Sequence, residues 1–281
     1  MFGSHLSIAG GLHNALLTGE RLGLDTVQVF TKNQQQWRVP KLKRPAVDLW
    51  QKHARRLSFK ATVSHASYLI NLASPDPVLW RRSVGLLVEE MRRCQSLGIG
   101  YLVIHPGCHM GSGEEAGIAR VAQALDRARE RCAADRVTIC LEGTAGQGTS
   151  VGHRLEHLAC IRERAGSRRS VAFCLDTAHL FAAGYDFRGR RYGRFMREVQ
   201  RLLGLGRIKV WHLNDTKRPL GSRVDRHAHI GHGHIGLAGF RSIVRDAVFA
   251  AVPKILETPK EKDEQGRDWD QVNLAALKGL M

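Results

Sequence analysis

The chain of 281 residues contains nothing close to the roughly 18 consecutive apolar residues that a membrane span requires, so no membrane partner is expected. Its start, Met1-Phe2-Gly3-Ser4-His5, has no basic segment followed by an apolar one, and no signal peptide is expected. The six cysteines, at 94, 108, 132, 140, 160 and 174, include no C-x-x-C pair. In a chain of this size they read as reduced thiols of a cytoplasmic protein, mostly in the core, and not as a disulfide framework. No linker, low-complexity tract or repeat divides the sequence, which reads as one domain over 1–281. Acid is scarce: 26 Asp and Glu face 43 Lys and Arg, a formal net charge of +17. Such a surplus suits a polyanion, because cations that neutralise phosphates release counterions; a basic surface also serves solubility alone. With 43% hydrophobic and 25% charged residues, disorder is excluded.

What is present is an alternation. Short apolar, β-branched runs at 2–6, 25–30, 60–65, 100–105, 137–142, 171–176, 207–213 and 252–257 predict eight buried strands. Between and after them, amphipathic stretches near 11–23, 44–58, 78–97, 116–133, 154–165, 192–203, 238–250 and 268–280 predict helices. Gly23, Gly98 and Gly204 stand where left-handed helix ends are expected. Eight strand–helix units are the count of a (β/α)8 TIM barrel. The competing layout, a doubly wound sheet, usually carries G-x-G-x-x-G after the first strand, and that motif is missing.

Active sites of such barrels lie at the C-terminal strand ends. Here the strands end at or beside His5, Phe30-Thr31, His65, His105, Glu142, Asp176, His212 and Glu257, although the whole chain has only 14 His and 26 acids. One histidine at a strand end is ordinarily a satisfied core residue. Six or seven His and carboxylates at one mouth would be undersolvated or mutually repulsive without a cation. Asp176-Thr177-Ala178-His179 adds a D-x-x-H pair on one turn, and Asp225-Arg226-His227 an i, i+2 pair on one side of an extended loop. The resulting nine candidates are His65, His105, Glu142, Asp176, His179, His212, Asp225, His227 and Glu257. Nitrogen and oxygen donors suit zinc, manganese or iron, and nine ligands ask for two or three ions. Three Zn2+ against the four carboxylates leave about +2, which favours a hydroxide and a phosphodiester.

With those residues in place the sequence resembles endonuclease IV (deoxyribonuclease IV), the metal-dependent apurinic/apyrimidinic endonucleases of base excision repair. The resemblance is carried by GSHLSIAGGL (3–12), FTKNQQQW (30–37), SHASYLINLASP (64–75), HPGCH (105–109), LEGTAGQG (141–148), CLDTAHLFAAGYD (174–186), WHLNDTK (211–217), GSRVDRHAHIGHGHIG (221–236) and ILETPK (255–260). It implies a TIM barrel with three zinc ions, manganese being the alternative at one or more positions, and no organic cofactor. His65, His105 and Glu142 would hold one ion. Glu142 would bridge to a second, held also by Asp176, His212 and Glu257, and the third would be held by His179, Asp225 and His227. Glu142 and Glu257 would be the catalytic carboxylates. A metal-activated hydroxide would attack on the 5′ side of an abasic site in double-stranded DNA, leaving a 3′-hydroxyl and a 5′-deoxyribose phosphate, and 3′ ends would be trimmed as well. No protein nucleophile is needed, in keeping with the lack of a Ser–His–Asp signature.

By the same resemblance Tyr68 and Leu69 would enter the duplex, since unstacking needs a large apolar wedge. Lys32, Asn33, Gln35 and Trp37 in one loop, and Lys217, Ser222, Arg223 and Arg226 in another, would contact DNA, and a monomer suffices for one lesion. The sequence departs from the family pattern at Gln35, where an arginine is usual, at Gly143, usually Asn, and at His232, usually acidic; His234 holds a variable position. His109, His229, His232 and His234 are expected around the ligands, not among them, and His13, His53, His153 and His157 are expected to have no catalytic role. Two other functions compete. A metal-dependent sugar isomerase or epimerase of a related barrel explains neither +17 nor the Asp225–His227 pair, and a non-catalytic DNA-binding module has no need of nine converging ligands.

Overall fold

The computed structural model describes residues 1–132 and 134–281. Eight parallel strands close into a barrel in the order β1 (Phe2–His5), β10 (Lys254–Leu256), β7 (Ile208–His212), β6 (Val171–Asp176), β5 (Thr138–Glu142), β4 (Tyr101–Ile104), β3 (Val63–His65) and β2 (Thr26–Val29). Each falls inside an expected apolar run. The barrel closes where Gly3 pairs with Ile255 on one side and with Thr26 on the other. Its interior is a small apolar plug of Val63, Val103, Cys140, Ala172, Cys174, Val210 and Ile255. The larger core lies between strands and helices, where each fully buried Leu, Ile or Phe contributes about 1.5–3 kcal/mol.

The outer layer consists of α1 (His13–Arg21), α2 (Arg44–Leu57), α3 (Pro77–Leu97), α4 (Glu114–Glu130), α5 (Leu155–Arg164), α7 (Tyr192–Leu202), α8 (Leu237–Arg245) and α9 (Trp269–Lys278). Helix α3 shows why the boundaries fall where they do. Asp76 accepts the Val78 N–H at 2.8 Å, Pro77 occupies the first turn, and Gly98 ends the helix at φ +75°. Removing the Asp76 cap would cost about 1 kcal/mol. Leu86, Leu87, Met91, Cys94 and Leu97 form its buried stripe.

Three features differ from expectation. A short helix, α6 (Thr177–Ala183), follows β6 directly, because Asp176 turns its carboxylate back to cap the His179 N–H. A two-residue antiparallel ladder pairs β8 (Asp215–Thr216) with β9 (His227–Ala228) above the barrel. The helix expected over 238–250 stops at Arg245, where Asp246 leaves the helix and caps a 3-10 turn at Ala247–Phe249. Among the described residues no helix is long and apolar enough to cross a membrane.

Candidate metal centre

Each strand end delivers its polar residue to one mouth. His65 ends β3, Glu142 ends β5, Asp176 ends β6 and His212 ends β7, while His105 and Glu257 directly follow β4 and β10. Glu142, Asp176 and His212 are completely buried. Glu142 sits at the centre. Its Oε2 lies 3.1 Å from His65 Nε2 and 3.0 Å from His105 Nε2, and its Oε1 lies 2.8 Å from His212 Nδ1. His212 Nδ1 is also 3.1 Å from Glu257 Oε2. On the far side His179 Nε2 lies 3.2 Å from Asp225 Oδ2, and His227 Nε2 is 3.2 Å from Asp225 Oδ1.

The histidine tautomers show what the mouth is built for. A backbone carbonyl cannot donate, so a ring nitrogen beside one must carry the proton. His65 Nδ1 donates to Ala66 O at 2.7 Å, His179 Nδ1 to Gly143 O at 2.9 Å, and His227 Nδ1 to Glu257 O at 3.2 Å. In its neutral form each ring would therefore turn its Nε2 lone pair toward a carboxylate. His227 Nε2 is buried, and among the described residues it has no well-aligned hydrogen bond, only the Asp225 carboxylate at 3.2 Å. Lone pairs facing carboxylates repel unless a positive charge lies between them, and outer hydrogen bonds of this kind are the usual support of metal-bound histidine. Donor atoms of His65, His105 and Glu142 fall within 4.8 Å of one another, as do those of Glu142, Asp176, His212 and Glu257, and those of Asp176, His179 and His227. The first two sets contain the same residues as the expected groupings. In the third, Asp176 takes the place given to Asp225, although Asp225 contacts both histidines.

Proton affinities tell the same story. Burial opposes charge on His179 and on His212, yet Asp176 foremost for His179, and Cys174 followed by Glu257 and Glu142 for His212, raise both well above the ordinary range. Burial likewise opposes charge on Glu142 and Glu257, but His212 above all holds both well below theirs. Cys174 also lies within reach of Glu142 and His212. Burial pushes its thiol up to about 12, which keeps it protonated and leaves the nitrogen and oxygen donors to bind the cation.

Two residues of the site escape the sequence reading. Gln28 on β2, buried among Thr26, Val27 and Val29, accepts from His212 Nε2 at 2.9 Å and donates to Glu257 Oε1 at 2.6 Å. A glutamine inside an apolar strand is the available signal, since a buried amide requires partners. Asp215 is completely buried, and its carboxylate accepts backbone N–H bonds from Thr216, Gly231, Gly233, Ile235 and Gly236 at 2.8–3.2 Å. The G-H-G-H-I-G segment thus wraps an aspartate of its own chain, and a Cβ on Gly233 would collide with that carboxylate.

Of the expected DNA contacts, Lys32, Asn33 and Tyr68 line a cavity beside the mouth. Tyr68 is 62% exposed, 5.4 Å ring to ring from His65, and Leu69 packs half-buried behind it. His5, Phe30, Lys32, Asn33, Tyr68, Glu257 and neighbouring residues enclose a cavity of about 570 Å3. Asn33, Gln35, Lys217, Arg223 and Arg226 are exposed, and Ser222 is half-buried with its hydroxyl unpartnered. Lys32 is buried and donates to Asn33 O and Gln36 O, so it shapes its loop, and Trp37 lies under the Arg82 guanidinium at 4.4 Å. His109 Nδ1 accepts from Gly113 N, and His229 stacks on Trp269 at 3.8 Å while meeting Glu261.

Away from the mouth, Glu114, His153 and His157 also cluster. Here Gly152 N–H donates to His157 Nδ1 at 3.3 Å, so His157 keeps its proton on Nε2 and donates to Glu114 at 3.2 Å. That arrangement ties the 143–153 loop to α4, and only His153, whose Nδ1 donates to Ser150 O at 3.1 Å, turns its Nε2 toward Glu114, at 3.5 Å.

Residues 18–278 match the family described as Xylose isomerase-like TIM barrel. A probable endonuclease 4 of Chloroflexus aurantiacus is 46% identical over 281 residues, covering 100% of this chain and 98% of the relative. One from Geobacter sulfurreducens is 45% identical, covering 99% and 94%. Among solved structures, endonuclease IV from Thermus thermophilus superposes with a TM-score of 0.87 at 34% identity, covering 99% and 98%. A D-tagatose 3-epimerase-like protein, at 17% identity and a TM-score of 0.73 over 99% and 96%, shares the barrel.

Proposed function

The chain belongs to the endonuclease 4 family of Xylose isomerase-like TIM barrels, and from the geometry of its mouth we propose that it is an apurinic/apyrimidinic endonuclease. It hydrolyses the phosphodiester 5′ to an abasic site in duplex DNA, trims blocked 3′ ends, and acts as a monomer. The observation that carries this reading is the set of histidines whose lone pairs are held against shared carboxylates. His65, His105 and Glu142 would hold one ion, Glu142, Asp176, His212 and Glu257 a second, and His179, Asp225 and His227 a third. Zinc, or manganese at some positions, would there supply Lewis acidity and an activated water.

The chain's own part is placement. Glu142 offers one oxygen to each of two neighbouring groups, so its position sets the distance between them. Asp225 and His227 come from the segment leading into β9, whose seat is fixed by Asp215. Tyr68 stands exposed at the lip of the cavity, where its ring can take the space of a displaced nucleotide, with Leu69 behind it. A cavity of about 570 Å3 is ample for a sugar phosphate. Asn33, Gln35, Trp37, Lys217, Ser222, Arg223 and Arg226 face the duplex, with Lys32 supporting the first loop from within. An epimerase shares the barrel but would give the Asp225–His227 arm and the surplus of +17 nothing to do.

The test is a gel assay on a duplex with one abasic site, with metal content measured on the same sample. Nicking 5′ to the lesion with about three zinc ions per chain is expected. One ion per chain and an intact duplex would sink the proposal.

A further inference from the structure

We propose that Gln28 and His5 form a positioning pair that fixes the tautomer of His212 and the orientation of Glu257. Glu257 Oε1 lies 2.6 Å from the Gln28 side-chain nitrogen, and an ionised carboxylate can only accept. The amide NH2 therefore faces Glu257, and Gln28 Oε1 faces His212 Nε2 at 2.9 Å. An amide oxygen can only accept, so His212 carries a proton on Nε2, and in its neutral form the ring presents the Nδ1 lone pair to Glu142 and Glu257. Gln28 does for His212 what backbone carbonyls do for His65, His179 and His227.

The second amide N–H of Gln28 points to His5 Nδ1 at 2.9 Å. His5 must accept there, which completes the glutamine's bonding and prevents the amide from flipping. The two residues are register neighbours on adjacent strands, so the barrel itself sets their spacing. The His5 ring is held from the other side by Phe30 at 4.3 Å. His5 and Gln28 need touch neither the reacting phosphate nor a cation; they act through His212 and Glu257.

The role of the pair in turnover rests on the endonuclease reading, but the tautomer does not, and the experiment separates them. In Gln28→Ala, kcat on the abasic duplex is expected to fall about 10–100-fold, the loss usual for outer partners of metal ligands, with duplex affinity within about threefold of wild type. Zinc loss to a chelator should accelerate by a similar factor. Nitrogen-15 shifts of the histidine rings should show His212 protonated on Nε2 in the wild type and mixed in the variant. His5→Asn, which retains an acceptor, should lie closer to wild type than His5→Leu. Wild-type chelation rates and ring shifts in Gln28→Ala would overturn the inference, as would a parallel loss of kcat, affinity and thermal stability. Equal defects in His5→Asn and His5→Leu would overturn the part assigned to His5. If the wild type fails to nick, the function is wrong, and the ring shifts and chelation rates still decide the pair.

Discussion

His179 Nε2 sits 3.2 Å from Asp225 Oδ2, joining helix α6 to the segment that leads into β9 across the barrel mouth. Neither element follows from periodicity, yet together they bring His179 and His227 within 3.4 and 3.8 Å of Glu142 and Asp176.

Asp225→Asn keeps the shape of that contact and removes its charge. Zinc content should fall from about three to about two per chain, and nicking by more than about tenfold. Elemental analysis beside a nicking assay checks this, and unchanged zinc content would return Asp225 to an ordinary loop residue.

Metal uptake should depend on pH in a stated direction. Burial opposes charge on His227, but Asp176 and Asp225 outweigh it and raise its pKa to about 9. In chelated protein the protonated ring is therefore favoured; that stabilisation is complete below its unfolded value near 6.5 and is lost as pH rises through 9. Protons and cation compete for Nε2, so zinc affinity should increase between pH 6.5 and 9, with protons released on binding. Titration calorimetry in buffers of different ionisation enthalpy measures this, and a flat affinity across the range would refute it.

Glu142→Gln removes the carboxylate shared by two groups. Nicking should fall by more than about a hundredfold while binding of abasic duplex persists. Single-turnover kinetics and a binding titration on the same variant distinguish the two effects. Wild-type turnover would strip Glu142 of its bridging role.

Tyr68→Ala should weaken discrimination between abasic and intact duplex by about tenfold, since stacking contributes about 1–3 kcal/mol per base. Parallel binding titrations on the two duplexes give the ratio directly. An unchanged ratio would assign Tyr68 to packing against Phe30 and His65.

Much of this is legible in the sequence. The eight strands are, because parallel barrel strands are buried on both faces and read as continuous apolar runs. His65, His105, Glu142, Asp176, His212 and Glu257 are, because a charged residue at the end of such a run has few explanations. Gln28 is not, as it lies inside its strand and its value depends on His212, a residue brought near only by barrel closure. Helix α6 is hidden because its cap, Asp176, is also a strand terminus and a candidate ligand. The partner of the glycine-rich segment is equally hidden, since Asp215 precedes it by a long loop.

That segment gives a fifth prediction. Asp215→Ala would leave as many as five backbone N–H groups without their acceptor, at about 1–3 kcal/mol for each that water cannot reach, so a loss of at least about 3 kcal/mol is expected. Gly233→Ala should be destabilising too, by forcing a methyl group into the same carboxylate. Denaturant titration measures both, and losses under about 1 kcal/mol would show that the segment holds its shape without the aspartate.

A ring of backbone amides around a carboxylate is the geometry that elsewhere captures a nucleotide's phosphate. Here the anion is covalently part of the chain and cannot leave. The glycine-rich segment that directly follows His227 therefore takes its seat on folding, with no ligand needed to hold it. Its ordering entropy is charged to the stability of the protein and not to the affinity for the lesion.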